Sequence, residues 1–406
     1  MKKQILALIS SVLALPTLFT TQAISEVLPS EALIDRIRQE AGSAFENGDL
    51  DRADRLLRST IAEAPNHISL RMDQILLLVR SGQYDAAAWQ ARALQAEGLD
   101  GPAADLLETF LRDYDMRPSQ SVSFGFALEP SSNATKGTSE ETITIGSLPF
   151  RVDSGSQAQS GTGLSLDMNA WKRWQLSERW TLRASATAVA TIRKDSDVSH
   201  SASLKQRLSF RYRKIDQSLE FGPIAQLSFQ NGDVSRRQLG GFIRVARDLS
   251  HDTQLSFELE SFSQDFPVQS FRNGNLVDGR LSWARTLSSG SRLELYIPFE
   301  REKTDRKHLN HQDLGLGVRY SFRPTTNIGL TLGGEYVVDR YDGAFPGVDF
   351  SRRDERSRLS IGFTHDGIQW NEISPRVEYT FTNSNSNIPL YDYQSHDFSL
   401  TFRRVF

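Results

Sequence analysis

His308 and His311 form a histidine pair whose spacing suits metal or haem ligation, and they fall where a polar loop enters an alternating strand. An i, i+3 interval brings two side chains together on a helix but not on a strand, so the pair reads as part of an ordinary polar loop. The other His residues are scattered, and no Ser-His-Asp or paired-carboxylate arrangement emerges, so no enzyme, resident metal or cofactor is expected. Cys is absent, which excludes disulfides and thiolate metal sites in any compartment. The densest charge pattern is Lys205, Arg207, Arg211 and Arg213, alternating with Leu204, Leu208, Phe210 and Tyr212. On a strand this arrangement gives one cationic face and one apolar face. Two readings are open: the basic face tunes what passes or docks beside it, or it is paired with carboxylates such as Glu220 and Glu258.

The elements carrying these residues are strands from Ser119 onward. Val122, Phe124, Phe126 and Leu128 alternate with Ser121, Ser123, Gly125 and Ala127; Leu314, Leu316, Val318, Tyr320 and Phe322 alternate with Gly315, Gly317, Arg319 and Ser321. Such a period of two, with small and charged residues on the second face, is the pattern of a transmembrane barrel, which needs apolar residues only at alternate positions. The mean hydropathy of −0.42 is compatible with that. Trp171, Trp174, Trp180, Tyr212, Tyr320, Phe322, Tyr379 and Phe406 fall where interface girdles are expected. Pro223 interrupts the fifth strand and predicts a bulge.

Connector lengths alternate. Short turns are expected near 176–178, 214–216, 250–252, 288–290, 324–326 and 366–367, and longer links near 130–160, 194–199, 230–234, 265–273, 304–308, 341–351 and 383–391. Thirteen such connectors join fourteen strands, an even number that returns the chain to the side where it began. Phe398, Leu400, Phe402 and Phe406 share one face of the last strand, the pattern expected of a strand that closes a barrel and is read by the barrel assembly machinery. An amphipathic edge strand ending in Phe would look the same in isolation.

Before Pro118 the period is helical. Gly48-Asp49-Leu50-Asp51-Arg52-Ala53 and Gly82-Gln83-Tyr84-Asp85-Ala86-Ala87 share a pattern at a 34-residue offset, the tetratricopeptide period. Gly48 and Gly82 turn the chain between antiparallel helices, while Ala53 and Ala87 allow close approach, with Tyr84 in the turn motif. Pro65 stops a helix, and a last helix near Pro102–Asp113 would cap the stack. Lys2, Lys3 and the apolar run from Ile5 to Phe19, followed by Thr21-Gln22-Ala23, read as a signal peptide cleaved after Ala23. The expected organisation is therefore 1–23 signal peptide, 24–117 periplasmic helical repeat domain and 118–406 fourteen-stranded antiparallel outer-membrane barrel, an α + β membrane protein. The formal charge is −3, and loss of Lys2 and Lys3 takes it to −5, which argues against nucleic-acid binding.

The segment Phe126-Ala127-Leu128-Glu129-Pro130-Ser131-Ser132-Asn133-Ala134, then Leu148-Pro149-Phe150 and Ser160-Gly161-Thr162-Gly163-Leu164, follows the helical domain in an order that resembles the surface lipoprotein assembly modifier family, the barrel component of type XI secretion. The resemblance implies an outer-membrane translocator that delivers lipoproteins, or small soluble haem- and iron-acquisition proteins, from periplasm to cell surface without ATP. It implies a client-engaging helical domain and a family-like motif at Pro130, Ser131, Ser132 and Asn133. Expected partners are the client, outer-membrane lipids and the barrel assembly machinery. The alternative is a passive channel for small solutes with a periplasmic tether; a third reading is a scaffold whose barrel only anchors the repeat domain.

Overall fold

The alternation from residue 120 onward is realised in the computed structural model as strands whose apolar faces point outward. The structure describes residues 29–97, 99, 101–115, 117, 119–193, 200–250, 252–365, 367–368 and 373–406. The expected signal peptide, the boundary at Pro118 and the link at 194–199 lie outside the described residues.

Among the described residues five helices come first: α1 Glu31–Glu46, α2 Leu50–Glu63, α3 Ile68–Arg80, α4 Tyr84–Ala96 and α5 Pro102–Asp115. Asp49 caps α2 by accepting from Arg52 N at 3.1 Å, satisfying one of the orphan donors of the first turn. Gly48 and Gly82 have φ of +80° and +72°, and a Cβ at either would meet nothing within 4 Å. Their requirement for glycine is therefore conformational, not spatial. Ala53 and Ala87 are buried at the helix contacts, with Leu57, Leu70, Leu78 and Leu94 around them. Tyr84 opens α4, and the Arg117 guanidinium stacks 3.6 Å from its ring centre.

The barrel strands are β1 Gln120–Ser131, β4 Gly161–Gln175, β5 Trp180–Arg193, β6 Ser201–Arg213, β7 Gln217–Gln230, β8 Asp233–Asp248, β9 Thr253–Asp265, β10 Gly274–Thr286, β11 Arg292–Thr304, β12 His311–Thr325, β13 Ile328–Ala344, β14 Ser351–His365, β15 Ser374–Ser386 and β16 Tyr393–Val405. A separate hairpin, β2 Thr142–Ile145 with β3 Leu148–Arg151, lies in the long link after β1. Each barrel strand pairs antiparallel with its chain neighbour, and β1 pairs with both β4 and β16, so fourteen strands close on themselves. Closure leaves no edge whose backbone groups would face lipid unpaired. Leu128, Leu166, Leu239, Leu314, Leu316 and Leu359 are exposed on the outer face, as a lipid-facing wall requires.

Four local expectations are corrected. The link between β7 and β8 is not long: Asn231 and Gly232, both with positive φ, make a two-residue hairpin turn. β14 ends at His365 and β15 begins only at Ser374, so the two strands are not joined by a two-residue turn at 366–367. At Pro223 there is no register shift, because Arg207 pairs with Ile224 and Phe210 with Phe221 in one register. The chain instead brings Gly222 against the Leu208 carbonyl, where a Cβ would lie 1.9 Å away. Trp171 belongs to no girdle: it pairs with Ser121 on the lumen side, beneath the Arg183 guanidinium at 4.8 Å.

Candidate functional site

Register decides how charge is arranged inside the barrel. Arg211, Glu220, Arg244, Glu258 and Arg280 stand directly opposite one another across β6 to β10, an alternating row of signs. Opposite charges in such cross-strand positions attract, whereas like charges would repel. Arg211 Nη2 donates to Glu220 Oε2 at 2.7 Å, and Arg244 Nε donates to Glu258 Oε2 at 3.0 Å. One layer away, Lys205 Nζ bonds Glu260 Oε2 at 2.9 Å, and Arg207 reaches both Glu258 and Glu260. Arg213 lines the same cavity of about 640 Å³. Lys205, Arg207 and Arg211 are paired with carboxylates of β7 and β9.

The motif Pro130-Ser131-Ser132-Asn133 sits on the closing seam between β1 and β16. Val122 and Phe406 exchange backbone hydrogen bonds at 3.2 and 2.7 Å, so the even-numbered residues of β1 bond to β16. In that register Leu128 faces Leu400 and Ser131 faces Asp397. Pro130 then faces Phe398 and, having no N–H, leaves the seam one ladder donor short. Beyond this point, side chains reinforce the seam. Ser131 Oγ donates to Asp397 Oδ1 at 2.5 Å, and Lys136 Nζ reaches Asp397 Oδ2 at 2.6 Å and Ser395 Oγ at 2.8 Å. Ser132 N donates to the His396 carbonyl at 3.0 Å, and His396 N to Ser132 Oγ at 2.8 Å. Asn133 is buried, and its Nδ2 donates to the Gln394 carbonyl at 3.1 Å and the Gly137 carbonyl at 2.8 Å. Charge-assisted bonds such as Lys136–Asp397 are about twice as strong as neutral ones. The seam is thus tied at this end and short of one bond behind the tie. At the other end, the Phe406 ring meets Phe124 edge-on at 6.1 Å.

The helical domain docks on the barrel turns. Glu178, in the turn between β4 and β5, accepts from Arg58 of α2 and from Gln90 of α4. Burial alone would lower the Arg58 guanidinium, but Glu178 and Asp54 hold it above its ordinary value. Arg173 of β4 donates to Asp85 at 3.0 Å, and Tyr114 donates to the other Asp85 oxygen at 2.9 Å. Burial first, and then the Asp85 carboxylate, push the Tyr114 phenol up to about 12. Ile215, in the turn between β6 and β7, is buried in the core of the helical domain. Between the two parts lies a cavity of about 430 Å³ lined by Tyr84, Asp85, Arg117, Trp171 and Arg173.

On the helices, a second cavity of about 360 Å³ runs between α1 and α3, lined by Arg38, Gly42, Phe45, Asp73, Leu76 and Arg80. Arg38 Nε bonds Asp73 at 2.6 Å, and Arg80 lies 5.5 Å from the Phe45 ring centre. Leu76 is 48% exposed at this groove, an apolar surface inside a frame of fixed charges. That combination suits an extended peptide carrying apolar anchors.

Several of these residues were invisible to sequence reasoning. Lys136, Asp397, Glu178 and Ile215 carry no local signature, because their partners lie on other strands or in the other part of the chain. His311 stands out in the sequence beside His308 and as part of a polar loop, yet it begins β12 with a nearly buried side chain between Glu300, Glu302 and Asp313. Only strand register reveals these partners.

Comparison with known proteins bears on this arrangement. The family described as surface lipoprotein assembly modifier matches residues 121–406. A surface lipoprotein assembly modifier of Pasteurella multocida (strain Pm70) is 21% identical over 389 residues, covering 90% of this chain and 75% of that relative. Among solved structures, a FadL homologue of Pseudomonas aeruginosa is 9% identical with a TM-score of 0.38, covering 70% of this chain and 89% of its own. OmpT, an outer membrane protein of Vibrio cholerae, is 8% identical with a TM-score of 0.38, covering 71% of this chain and 98% of its own.

Proposed function

The chain belongs to the surface lipoprotein assembly modifier family, and from that premise we propose that it is an outer-membrane translocator delivering partner proteins from periplasm to cell surface. Its clients are lipoproteins, or small soluble haem- and iron-acquisition proteins. The α1–α3 groove engages the client, and the barrel passes it through its lumen or along its closing seam. The observation carrying this reading is the docking of the helical part against the barrel turns. Arg58 and Gln90 on Glu178, and Ile215 in the helical core, hold the groove in a fixed relation to the barrel mouth. A freely tethered domain would have no need of such a contact. Folding or capture of the client outside would supply the driving force, since the periplasm offers no ATP.

The test uses a host lacking this system, expressing a tagged lipoprotein encoded beside this gene. Tag exposure on intact cells is measured with the wild type, with no translocator, and with Leu76→Glu. Leu76 is half exposed, so its replacement should cost no more than about 0.5 kcal/mol of stability. Exposure that depends on the wild type and falls with Leu76→Glu at equal barrel levels supports the reading. Exposure indifferent to both, together with ion conductance of the reconstituted barrel, would favour the passive channel.

A further inference from the structure

Six carboxylates occupy one register row inside the barrel: Glu260, Asp278, Glu300, Asp313, Asp339 and Asp354, on consecutive strands β9 to β14. Like charges directly opposite one another on a sheet destabilise it, so such a row needs cations. Its two ends have them. Glu260 holds Lys205 and Arg207; Asp354 is bonded by Arg352, and Asp339 meets Arg356 at 3.3 Å. In the middle the pairing centres on one imidazole. Glu300 and Asp313 meet His311 at 3.2 and 3.7 Å, and Arg356 lies 3.9 Å from Asp313.

The imidazole of His311 is oriented for this gap. Its Nδ1 lies 3.2 Å from the Leu309 carbonyl, an acceptor that places the ring proton on Nδ1. Nε2 then faces Glu300 Oε1, 3.2 Å away, and Asp313 Oδ1, 3.7 Å away. A proton on Nε2 would make the imidazole the cation between these two carboxylates, and a metal ion held by Nε2 would take the same place. A second observation comes from the next strand. Asp339 is 7% exposed; its Oδ2 meets Arg356, while its Oδ1 and the Asp313 Oδ1 that faces His311 are buried with no hydrogen-bond donor among the described residues. Leaving a buried charged oxygen unpaired is costly, and coordination of an ion removes that cost.

We propose that His311, Glu300 and Asp313 bind a divalent first-row transition metal ion of the zinc and cobalt(II) class, with Asp339 beside them. A tetrahedral ion with ligand bonds of about 2.1 Å needs donor atoms roughly 3.4 Å apart. The His311 nitrogen stands at 3.2 and 3.7 Å from the two carboxylate oxygens, and the donors of all three residues fall within 4.8 Å of one another. One imidazole and two carboxylates match that class of ion better than calcium or magnesium, which take oxygen ligands throughout. The Leu309 carbonyl on Nδ1 is the outer-sphere acceptor that metal-bound imidazoles generally keep. Bound there, the ion ties β11 to β12 within the lumen, in a cavity of about 330 Å³ that Arg352, Asp354 and Tyr391 also line. The proposal does not depend on the translocation reading.

The experiment titrates Co²⁺, followed by its visible absorption, and Zn²⁺, followed by calorimetry, into full-length untagged protein folded in detergent and stripped of metal. One ion per chain is expected. His311→Ala should weaken binding at least about 10–100-fold, the loss that even outer-sphere partners produce when removed. Glu300→Gln, which preserves side-chain shape, should weaken it comparably, and His308→Ala should leave it unchanged. Heat-modifiable gel mobility verifies that each variant is a closed barrel; should His311→Ala fail to close, Glu300→Gln decides. Absence of stoichiometric binding to the wild type, or binding that survives Glu300→Gln unchanged, overturns the assignment.

Discussion

Pro130 of β1 stands opposite Phe398 of β16 at a position whose backbone nitrogen would otherwise donate across the barrel seam. The missing bond lies immediately behind the tie made by Ser131, Lys136 and Asp397. Pro130→Ala restores the donor, worth about 0.5–1.5 kcal/mol to the seam. It also frees the unfolded chain, which offsets about 0.4–1 kcal/mol of that gain. Global stability should therefore hardly change. Amide exchange along β16 from His396 to Leu400 should slow, and if the client travels along the seam, surface delivery should fall. Unaltered exchange in β16 would mean that the proline does not weaken the seam.

Ile215 and Glu178 are two of the barrel's holds on the helical part, one apolar and one charged. Ile215→Ala removes a buried side chain from the helical core and should cost about 2–5 kcal/mol of that part's stability or docking. Glu178→Lys opposes Arg58 with a like charge. Either change should expose the helices to protease while the barrel's heat-modifiable mobility stays that of the wild type. Limited proteolysis with gel analysis reads both at once. Loss of the barrel's mobility in step with the helices would show that the two parts do not unfold separately.

Much of the fold was legible because it depends on local period. The repeat at Gly48 and Gly82 shows in the sequence because left-handed turns demand glycine whatever surrounds them. The fourteen strands show because lipid asks only for alternate apolar residues. Partnership is another matter. Lys205 and Glu260 are 55 residues apart, and nothing in either neighbourhood says that register will bring them together. The same holds for His311, whose partners Glu300 and Asp313 are set by the pairing of β11 with β12. Trp171 was misplaced because an aromatic near a strand end reads as a girdle residue unless its parity is counted. The turn at Asn231-Gly232 was misjudged for the opposite reason: its dipeptide signature was local and clear, but the expected rhythm of long and short links outweighed it.

Tyr114 links the helical part to the barrel through Asp85 and Arg173, and its phenol titrates at about 12, against about 10 for a free tyrosine. A raised folded-state value favours the neutral form. The stability it contributes is therefore complete below about pH 10 and lost as pH rises from about 10 to about 12. Docking measured by protease sensitivity should weaken across that alkaline window. Tyr114→Phe should remove this component of the pH dependence while leaving docking somewhat weaker at neutral pH. A wild type and variant with the same alkaline profile would show that Tyr114 does not couple to docking.

The choice between passage through the lumen and passage along the seam can be made by locking the seam. Ala127 and Thr401 are opposed across β1 and β16, and they belong to the odd-numbered set that does not bond across the seam. Such pairs bring Cα atoms to about 4.5 Å, within the range that a disulfide spans. The chain has no Cys of its own, so Ala127→Cys with Thr401→Cys can form only the intended bridge. Oxidised, this crosslink should stabilise closure by about 2–4 kcal/mol and prevent the strands from parting. If the client moves along the seam, its exposure on intact cells should collapse in the oxidised double variant and return with reductant, while each single variant behaves as wild type. If the client passes through the lumen, exposure should be indifferent to the crosslink. In that case the paired charges of Arg211, Glu220, Arg244 and Glu258 become the surface the client must cross, and charge reversal at Glu258 the variant that slows it.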